Sequence, residues 1–317
     1  MTDTPLRIVF MGTPEFAVPS LDLLRQNDFQ IAGVVTAPDR PAGRGLKMHE
    51  SAVKQYAVAH GLPVLQPVRL KDPAFLDRLG DLKADLQVVV AFRMLPEIVW
   101  DMPPLGTINL HGSLLPQYRG AAPINWAIIN GETQTGVTTF RLQHEIDTGQ
   151  IIGQQRVPIG PDETAGELHD RLMDEGALLV LETVRSMASG VYKLTAQATL
   201  SGPSGVLHTA PKIFKADCRI DWTQNSRRIH DLVRGLSPYP AAWTLLNGKT
   251  LKIYRSTYLP ADNPLAAGVV ETDHTDYLRI ACRDGWIFLQ EVQLEGKKRL
   301  PIEAFLRGYR QEKMVIT

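Results

Sequence analysis

The first part of the chain alternates short apolar runs with apolar stripes at helical spacing. Three runs of strand length cover residues 6–11, 31–36 and 86–91, and the last is the most apolar. A further strand is predicted over Thr107–His111. After the first run, an N-cap and a first-turn proline introduce a helix through Thr13, Pro14, Phe16, Val18, Leu21 and Leu24. This order predicts an α/β fold, a Rossmann-like doubly wound parallel sheet with helices on both faces.

A long helix is predicted further along the chain. It begins at Thr164-Ala-Gly-Glu167, a capping box in which each side chain satisfies a backbone N–H group of the other residue. Gly190 suits its C-terminal end. The following stretch, Ser201-Gly-Pro-Ser-Gly205, has the composition of a linker.

The last third of the chain has a different pattern. Asn247-Gly248 and Asp284-Gly285 each stand between β-rich runs, which is a strong signal for a hairpin. A helix capped at Ser226 precedes them, with apolar residues at Ile229, Leu232, Val233 and Leu236. Short strands with tight turns predict a small OB-like antiparallel β-barrel. We therefore expect a Rossmann-like domain over 1–190, a linker over 191–208 and the OB-like domain over 209–317.

Length and charge agree with two domains. A chain of 317 residues is longer than one hydrophobic core usually supports. The net charge is zero, but residues 1–208 carry 17 Lys and Arg against 22 Asp and Glu, and residues 209–317 carry 17 against 12. The basic second part favours a polyanionic partner. With no leader pattern, no membrane-spanning apolar run and two unpaired cysteines, the sequence predicts a cytoplasmic protein.

Candidate chemistry is concentrated after the Thr107–His111 strand. Asn109 and His111 are two residues apart, so their side chains point to the same side at the carboxyl end of the strand, where open α/β sheets bind ligands. Both can donate hydrogen bonds to a developing oxyanion. Asp147 can orient the imidazole or stabilise its cationic form. The spacing alone favours a structural histidine bonded to backbone groups.

The longer stretch from Asn109 to Pro123 resembles the signature of the 10-formyltetrahydrofolate-dependent formyltransferases. The resemblance implies that Asn109, His111 and Asp147 are catalytic and that 10-formyltetrahydrofolate is the co-substrate. It also implies a folate-facing loop formed by Ser113, Leu114, Leu115 and Pro116. The sequence contains no dinucleotide fingerprint, Walker motif or cluster with metal-ligand spacing, so no metal or nucleotide cofactor is expected.

A second resemblance indicates which molecule accepts the formyl group. The stretch Pro38-Asp-Arg-Pro-Ala-Gly-Arg-Gly45 is similar to the inserted loop of methionyl-tRNA formyltransferases, and Ala210–Ile213, Arg219–Trp222 and Ser237–Pro240 are similar to their C-terminal domain. This implies formyl transfer to initiator methionyl-tRNA, with Arg40, Arg44 and Lys47 contacting the RNA through its phosphates. A monomer is expected, with no membrane partner.

One departure and several alternatives remain at this point. The segment Val90–Pro96 differs from the family pattern that lines the pterin pocket, and Arg93 puts the rim of that pocket in question. A sugar-nucleotide formyltransferase, a formyltransferase of purine intermediates, a formyltetrahydrofolate hydrolase and a non-catalytic RNA-binding protein are the alternatives. The Pro38–Gly45 loop and the basic second part argue against the sugar enzyme, and the intact trio argues against binding alone.

Overall fold

The computed structural model describes residues 5–42, 47–200, 206–262, 265–309, 311 and 313–317. The strands are β1 Arg7–Gly12, β2 Gln30–Val35, β3 Arg40–Ala42, β4 Lys47–His49, β5 Val64–Leu65, β6 Leu86–Val90, β7 Thr107–His111, β8 Arg119–Gly120, β9 Gln134–Arg141, β10 Ile151–Pro158, β11 Thr209–Ala210, β12 Ala242–Leu246, β13 Lys249–Pro260, β14 Val270–Thr272, β15 Leu278–Cys282, β16 Gly285–Leu294 and β17 Leu300–Pro301. The helices are α1 Val18–Gln26, α2 Ala52–Ala59, α3 Pro73–Asp81, α4 Glu97–Trp100, α5 Pro123–Ile129, α6 Ala165–Ser189, α7 Ser226–Leu236 and α8 Ile302–Gly308.

Two compact units divide the chain, and neither is a single continuous segment. The first contains residues 1–120, 136–157 and 170–209, and the second contains 121–135, 158–169 and 210–317. Each unit therefore takes short segments from the part of the chain that otherwise builds the other. The Ser201–Gly205 stretch, read as a linker from its composition, lies outside the described residues.

The first unit is built on a mixed sheet. In the described residues its strands have the order β10-β9-β7-β6-β1-β2-β5. The five strands from β7 to β5 pair in parallel, which confirms the predicted Rossmann-like core. The prediction of a purely parallel sheet was incomplete, because β9 pairs antiparallel with β7. Every residue of β6 is buried, which fits its central position and its continuous apolar run.

The helices of this unit cover the sheet with apolar faces. One core cluster joins Val9, Val35 and Val89 of the strands to Phe75 and Leu79 of α3. In the segment after β1, the predicted residues Phe16, Leu21 and Leu24 are buried, as the spacing indicated. The predicted cap at Thr13 was wrong: a 3₁₀ turn over Glu15–Ala17 comes first, and Ala17 is the N-cap of α1 without a side-chain bond.

Helix α6 forms where the capping box predicts it. The Thr164 N–H donates to the Glu167 carboxylate at 2.9 Å, and the Glu167 N–H donates to the Thr164 hydroxyl at 3.3 Å. The helix ends at Ser189, and Gly190 has a φ of +73°, the left-handed conformation that glycine adopts most easily at a helix end. None of the described helices combines the length and the apolar character needed to cross a membrane.

The second unit contains an antiparallel sheet with the order β12-β13-β16-β15-β14, and β17 pairs with β16. The predicted antiparallel C-terminal sheet is therefore present. Asn247 and Gly248 form the two-residue turn between β12 and β13, with φ values of +48° and +77°. Positive φ at both positions is what a type I′ turn requires.

Two local predictions for this unit needed correction. The second hairpin exists, but Cys282 pairs with Gly285, so its turn residues are Arg283 and Asp284 and the glycine already belongs to β16. Helix α7 begins at Ser226, but its N-cap is Asn225, whose side chain accepts the Arg228 N–H at 2.8 Å. A side-chain oxygen one residue earlier competes successfully for the free N–H groups of the first turn.

Candidate active site

The sequence-predicted trio lies within the first unit, at the carboxyl edge of the parallel strands. Asn109 pairs with Val89 of β6 on one side and with Phe140 of β9 on the other. His111 ends β7 and is buried, with 7% exposure. Within the described residues the Asn109 carboxamide has no hydrogen-bond partner, although the residue is only half-exposed. An amide with free donors therefore lies where open α/β sheets bind ligands.

A backbone carbonyl fixes the orientation of His111. The imidazole Nε2 lies 2.9 Å from the carbonyl oxygen of Tyr118, and a carbonyl can only accept, so Nε2 carries a proton. The remaining ring nitrogen, Nδ1, lies 3.9 Å from the Asp147 carboxylate. That separation is too long for a hydrogen bond, so Nδ1 stays available to a third group. The sequence suggested Asp147 for the orienting role that the Tyr118 carbonyl fills.

Asp147 is held on a tight turn. Its carboxylate accepts the Gly120 N–H at 3.1 Å, and its φ is +54°, a left-handed conformation uncommon for a residue with a side chain. Gly149, two residues on, is packed so closely that a Cβ there would lie 1.7 Å from the carbonyl oxygen of Arg141. The Asp-Thr-Gly sequence thus places the carboxylate beside His111 because Asp147 adopts a left-handed conformation and Gly149 allows a close backbone approach.

Gln197 supports this turn, and sequence reasoning missed it. Its side-chain amide donates to the carbonyl oxygens of Asp147 and Gly149, both at 2.8 Å. Its side-chain oxygen accepts from Arg119 at 2.6 Å and 3.0 Å. The residue is 3% exposed, so four hydrogen bonds fully satisfy a buried amide. It lies in the stretch expected to be a linker, and no local pattern distinguishes it.

The loop expected to face the folate is mostly turned inward. Ser113 donates to the Gln117 carbonyl at 2.6 Å, and the Leu115 side chain packs in a small core cluster. Both residues and Pro116 are buried, whereas Leu114 is half-buried and lies against Gly136. Contacts from this loop to a ligand would therefore come mainly from its backbone.

Two further residues of the first unit, His144 and Arg93, each contact another part of that unit. His144 is a surface residue, 76% exposed on its side chain, and its Nε2 lies 3.0 Å from Glu97. Arg93 does not project freely from the 91–96 segment, because its guanidinium donates to the carbonyl oxygens of Pro67 and Val68. Arg93 is therefore bound to the segment that contains Pro67 and Val68.

Two of the residues expected to bind RNA, Arg40 and Lys47, lie on a pair of short strands. Strands β3 and β4 pair antiparallel, with Arg40 opposite His49 and Ala42 opposite Lys47. Arg40 is exposed. Arg44 lies outside the described residues, and only the backbone of Lys47 is described. At the base of the hairpin, Asp39 forms an ion pair with Lys54 and accepts from Gln66 at 2.8 Å.

Taken together, the geometry suits transfer of an acyl-type group. An unpartnered carboxamide and an imidazole with one free nitrogen can bind an oxyanion, and a carboxylate nearby stabilises positive charge on the ring. The mixed α/β sheet, the C-terminal antiparallel sheet and this trio define the class as a two-unit, group-transferring α/β enzyme.

Comparison with known proteins gives the family. A model of the formyl transferase family matches residues 6–184, and a model of the formyl transferase C-terminal domain matches residues 212–310. The methionyl-tRNA formyltransferase of Parabacteroides distasonis is 55% identical over 317 residues and covers 98% of both chains. That of Bacteroides fragilis is 54% identical over 314 residues, covering 98% of this chain and 97% of its own. The chain belongs to the formyl transferase family, in the group of the methionyl-tRNA formyltransferases.

Solved structures agree at the level of the fold. An N-formyltransferase from Helicobacter canadensis, solved with folinic acid and dTDP-3-aminofucose, matches 93% of this chain and 100% of its own with a TM-score of 0.66. Its sequence identity is 21%, so the likeness extends to the fold and not to the acceptor. The family resemblance read from the sequence is confirmed.

Proposed function

We propose that this protein transfers the formyl group of 10-formyltetrahydrofolate to the amino group of initiator methionyl-tRNA. The observation that carries the proposal is at the carboxyl edge of the sheet, where the Asn109 carboxamide and Nδ1 of His111 make no hydrogen bond to any described residue. These groups fit a substrate whose reaction creates an oxyanion, and the relatives that match the whole chain are methionyl-tRNA formyltransferases.

In the proposed reaction the neutral amine attacks the formyl carbon and forms a new C–N bond. The carbonyl oxygen becomes an oxyanion, which Asn109 and protonated His111 stabilise by donating hydrogen bonds. Nδ1 is the ring nitrogen that serves this role, since Nε2 is bonded to the Tyr118 carbonyl. When the intermediate collapses, the bond from the formyl carbon to N10 breaks, N10 takes a proton, and tetrahydrofolate leaves.

Asp147 contributes charge and a proton acceptor. Its carboxylate lies 3.9 Å from Nδ1, close enough to stabilise an imidazolium without holding the ring by a hydrogen bond. We assign to the same carboxylate the removal of the proton that the attacking amine loses, directly or through one water. The Gly120 N–H bond keeps the carboxylate in place throughout these steps.

The folate is held by the 113–116 loop and by the 90–96 segment. Ser113, Leu115 and Pro116 are buried, so their part is to shape the loop while backbone groups face the ligand. Leu114 is the half-buried member of this loop. Val90 ends β6 next to β7, which brings the 90–96 segment to the same edge as Asn109.

The tRNA is bound through its phosphates. Arg40, Arg44 and Lys47 are the proposed contacts in the hairpin region, and further cations come from the C-terminal half at Lys212, Lys215, Lys297, Lys298, Arg299 and Arg307. Replacing Arg44 with Ala is expected to weaken use of the tRNA and to flatten its salt dependence. We further propose that the enzyme acts as a monomer in the cytoplasm; light scattering on the purified protein tests the first point.

One assay tests the proposed function. The protein is mixed with 10-formyltetrahydrofolate and with charged initiator tRNA, an amino-sugar nucleotide or no acceptor, and the fate of the formyl group is followed. Formylmethionyl-tRNA as the main product is expected. A formylated sugar nucleotide would instead make the protein a sugar enzyme, and release of formate without an acceptor would make it a hydrolase.

A further inference from the structure

Thr138 lies next to His111, on the same face of the sheet. Strand β9 pairs antiparallel with β7, and Thr138 is the residue directly opposite His111. Side chains of directly opposite residues project to the same face of an antiparallel pair. Thr138 is fully buried, so its hydroxyl can find partners only inside the protein. Two of these partners belong to the stretch of chain that follows His111.

The Thr138 hydroxyl joins two backbone positions of the 113–116 loop. It donates to the carbonyl oxygen of Ser113 at 2.6 Å and accepts the Leu115 N–H at 3.1 Å. It also accepts from the side-chain amide of Gln154 at 3.0 Å, and that amide donates to the Leu115 carbonyl oxygen at 2.9 Å. A hydroxyl donates once and accepts twice, so the hydrogen-bonding capacity of Thr138 is used in full on the loop and on Gln154.

Packing on β9 also brings the loop against this face. Gly136 is two residues before Thr138 and therefore lies on the same face, where a Cβ would come within 2.6 Å of the Leu114 side chain. The next residue after Thr138 faces the other way, because the Thr139 hydroxyl lies 2.7 Å from that of Thr183 on α6. Strand β9 thus contains two adjacent buried threonines, and only the first contacts the loop.

The bond to Thr138 determines the direction of the peptide between Ser113 and Leu114. This peptide is trans, and in a planar trans peptide the C=O and N–H groups point in opposite directions. Because the Ser113 carbonyl points at Thr138, the Leu114 N–H points away from it. That N–H makes no hydrogen bond to the described part of the chain, and Leu114 is only half-buried. The loop therefore keeps a backbone donor that a ligand can use.

We propose that Thr138, assisted by Gln154, is a positioning residue for 10-formyltetrahydrofolate. It fixes the loop so that the Leu114 N–H is presented to a hydrogen-bond acceptor of the folate. This inference rests on the proposed function, which assigns the loop to the folate. A backbone N–H that loses its water needs another acceptor, and the ligand supplies one. A loop that is already fixed forms this bond at a lower entropic cost than a loop that must first be ordered.

Replacing Thr138 with valine tests the proposal, because valine has nearly the same shape and lacks the hydroxyl. Calorimetry with tetrahydrofolate is expected to give a Kd about tenfold higher in Thr138→Val, with an equal rise in the KM for 10-formyltetrahydrofolate. The kcat and the KM for methionyl-tRNA should change less than about twofold, because a lost binding contact affects ground state and transition state alike. Thr138→Ser restores the hydroxyl and should bring the Kd to within about twofold of the wild-type value.

Thr139→Val is the matched control. Thr139 is also fully buried, and its hydroxyl has its partner, Thr183, on the other face of β9. Its loss should lower the melting temperature as Thr138→Val does, but it should leave the Kd for tetrahydrofolate unchanged. A role of Thr138 in stability alone would give the two variants the same behaviour.

Gln154→Leu provides a second test in case Thr138→Val does not fold. Gln154 is an exposed residue, so its replacement disturbs the core little. The variant loses the amide that donates to Leu115 and to Thr138, and its Kd for tetrahydrofolate should rise by about threefold. Gln155→Leu, at the exposed neighbouring residue, is its control and should bind like the wild type.

An unchanged Kd in Thr138→Val, or in Gln154→Leu where Thr138→Val does not fold, would overturn the proposal. Equal rises in Thr138→Val and Thr139→Val, or a Thr138→Ser variant as weak as Thr138→Val, would overturn it as well. A lower kcat with an unchanged Kd would place the effect on His111 and not on the loop. Tetrahydrofolate binding needs no acceptor, so if the wild type binds it without formylating methionyl-tRNA, the proposed function fails while calorimetry of the variants still decides this inference.

Discussion

Each unit contains a buried histidine with an aspartate nearby, and the two clusters differ in their hydrogen-bond partners. In the first unit, His111 and Asp147 are anchored through Tyr118 and Gly120, but Nδ1 and the Asn109 amide have no hydrogen-bond partner in the described part of the chain. In the second, Asp231 accepts from Arg227 at 3.0 Å and from Arg234 at 2.7 Å, so both of its oxygens are used.

The other members of the second cluster also contact groups of the same unit. Arg234 donates to the carbonyl oxygens of Gly160 and Glu163, both at 3.2 Å. The Nδ1 atom of His230 lies 3.2 Å from the Ser256 hydroxyl, whereas its Nε2 atom lies 3.3 Å from the Asp162 carboxylate without making a hydrogen bond to the described residues. Both clusters are buried and polar, and in both one imidazole nitrogen makes no hydrogen bond to the described part of the chain. The first cluster differs because a carboxamide without a partner, that of Asn109, lies on the same strand as its histidine. Burial of a histidine and an aspartate therefore does not identify chemistry by itself.

The largest effect expected from this contrast is on stability. Asp231→Ala leaves Arg234 buried without its counter-charge, which typically costs ~3–5 kcal/mol of unfolding free energy. Denaturant unfolding measures the loss, and formyl transfer at a temperature where the variant is folded should be unchanged. Asp276→Ala, at an exposed aspartate, is the control and should change neither the unfolding free energy nor formyl transfer. A stable Asp231→Ala variant with slow turnover would erase the distinction between the clusters.

In the first cluster we expect the opposite result, a loss of turnover with an unchanged fold. Asn109→Ala and His111→Ala should each lower kcat by ~10²–10³, because one oxyanion donor is lost, while the fold persists. Turnover at saturating substrates and a thermal melt measure the two properties. His144→Ala, at an exposed histidine, is the control and should retain activity. Normal turnover in both variants would remove these residues from the mechanism.

A substitution at Gln197 tests whether the exact position of the Asp147 turn matters for turnover. Gln197→Glu keeps an acceptor for Arg119 but removes the donor to the carbonyl oxygens of Asp147 and Gly149. We expect kcat to fall by roughly 10-fold, with smaller changes in either KM, because a misplaced catalytic group loses rate before it loses binding. Gln155→Glu, an exposed change of the same charge, is the control. If Gln155→Glu lost as much kcat and as much thermal stability as Gln197→Glu, Gln197 would have no special role.

The smallest effect should come from pH. Burial, together with repulsion from Arg234, lowers the pKa of His230, so the folded state binds that proton less readily than the unfolded chain. Its contribution to stability is therefore full above the unfolded value of about 6.5 and is lost as the pH falls below it, by at most about 1.4 kcal/mol per pH unit. Unfolding curves at pH 7.5 and 5.5 should show a smaller acid loss in His230→Gln than in the wild type. An equal loss would mean that other groups dominate.

The sequence predicted well wherever a local pattern carries the structure. Thr107–His111 forms β7 with the expected bounds, Thr164 and Glu167 cap α6, and Asn247-Gly248 turns the first C-terminal hairpin. In each case a few neighbouring side chains determine the backbone. The antiparallel direction of β9 has no such signal, because strand direction depends on how distant segments connect.

The positions of Asn109, His111 and Asp147 in the fold could be predicted, but the groups that support them could not. Tyr118 orients His111 through a backbone carbonyl, which every residue type possesses, so the sequence letter carries no information. Gln197 is 50 residues from Asp147 along the chain, and a glutamine in a polar stretch looks like any solvated residue. Contacts of this kind depend on tertiary packing and become visible only in the folded chain.

The crowding at Gly149 bears on how this enzyme can evolve or be redesigned. No other amino acid fits there, because even the first side-chain carbon would overlap the Arg141 carbonyl. A library that randomises the neighbourhood of Asp147 to accept a new amine must keep this position fixed or discard most of its members. Variation is better directed at the exposed Gln143–Ile146, which precede Asp147 in the chain.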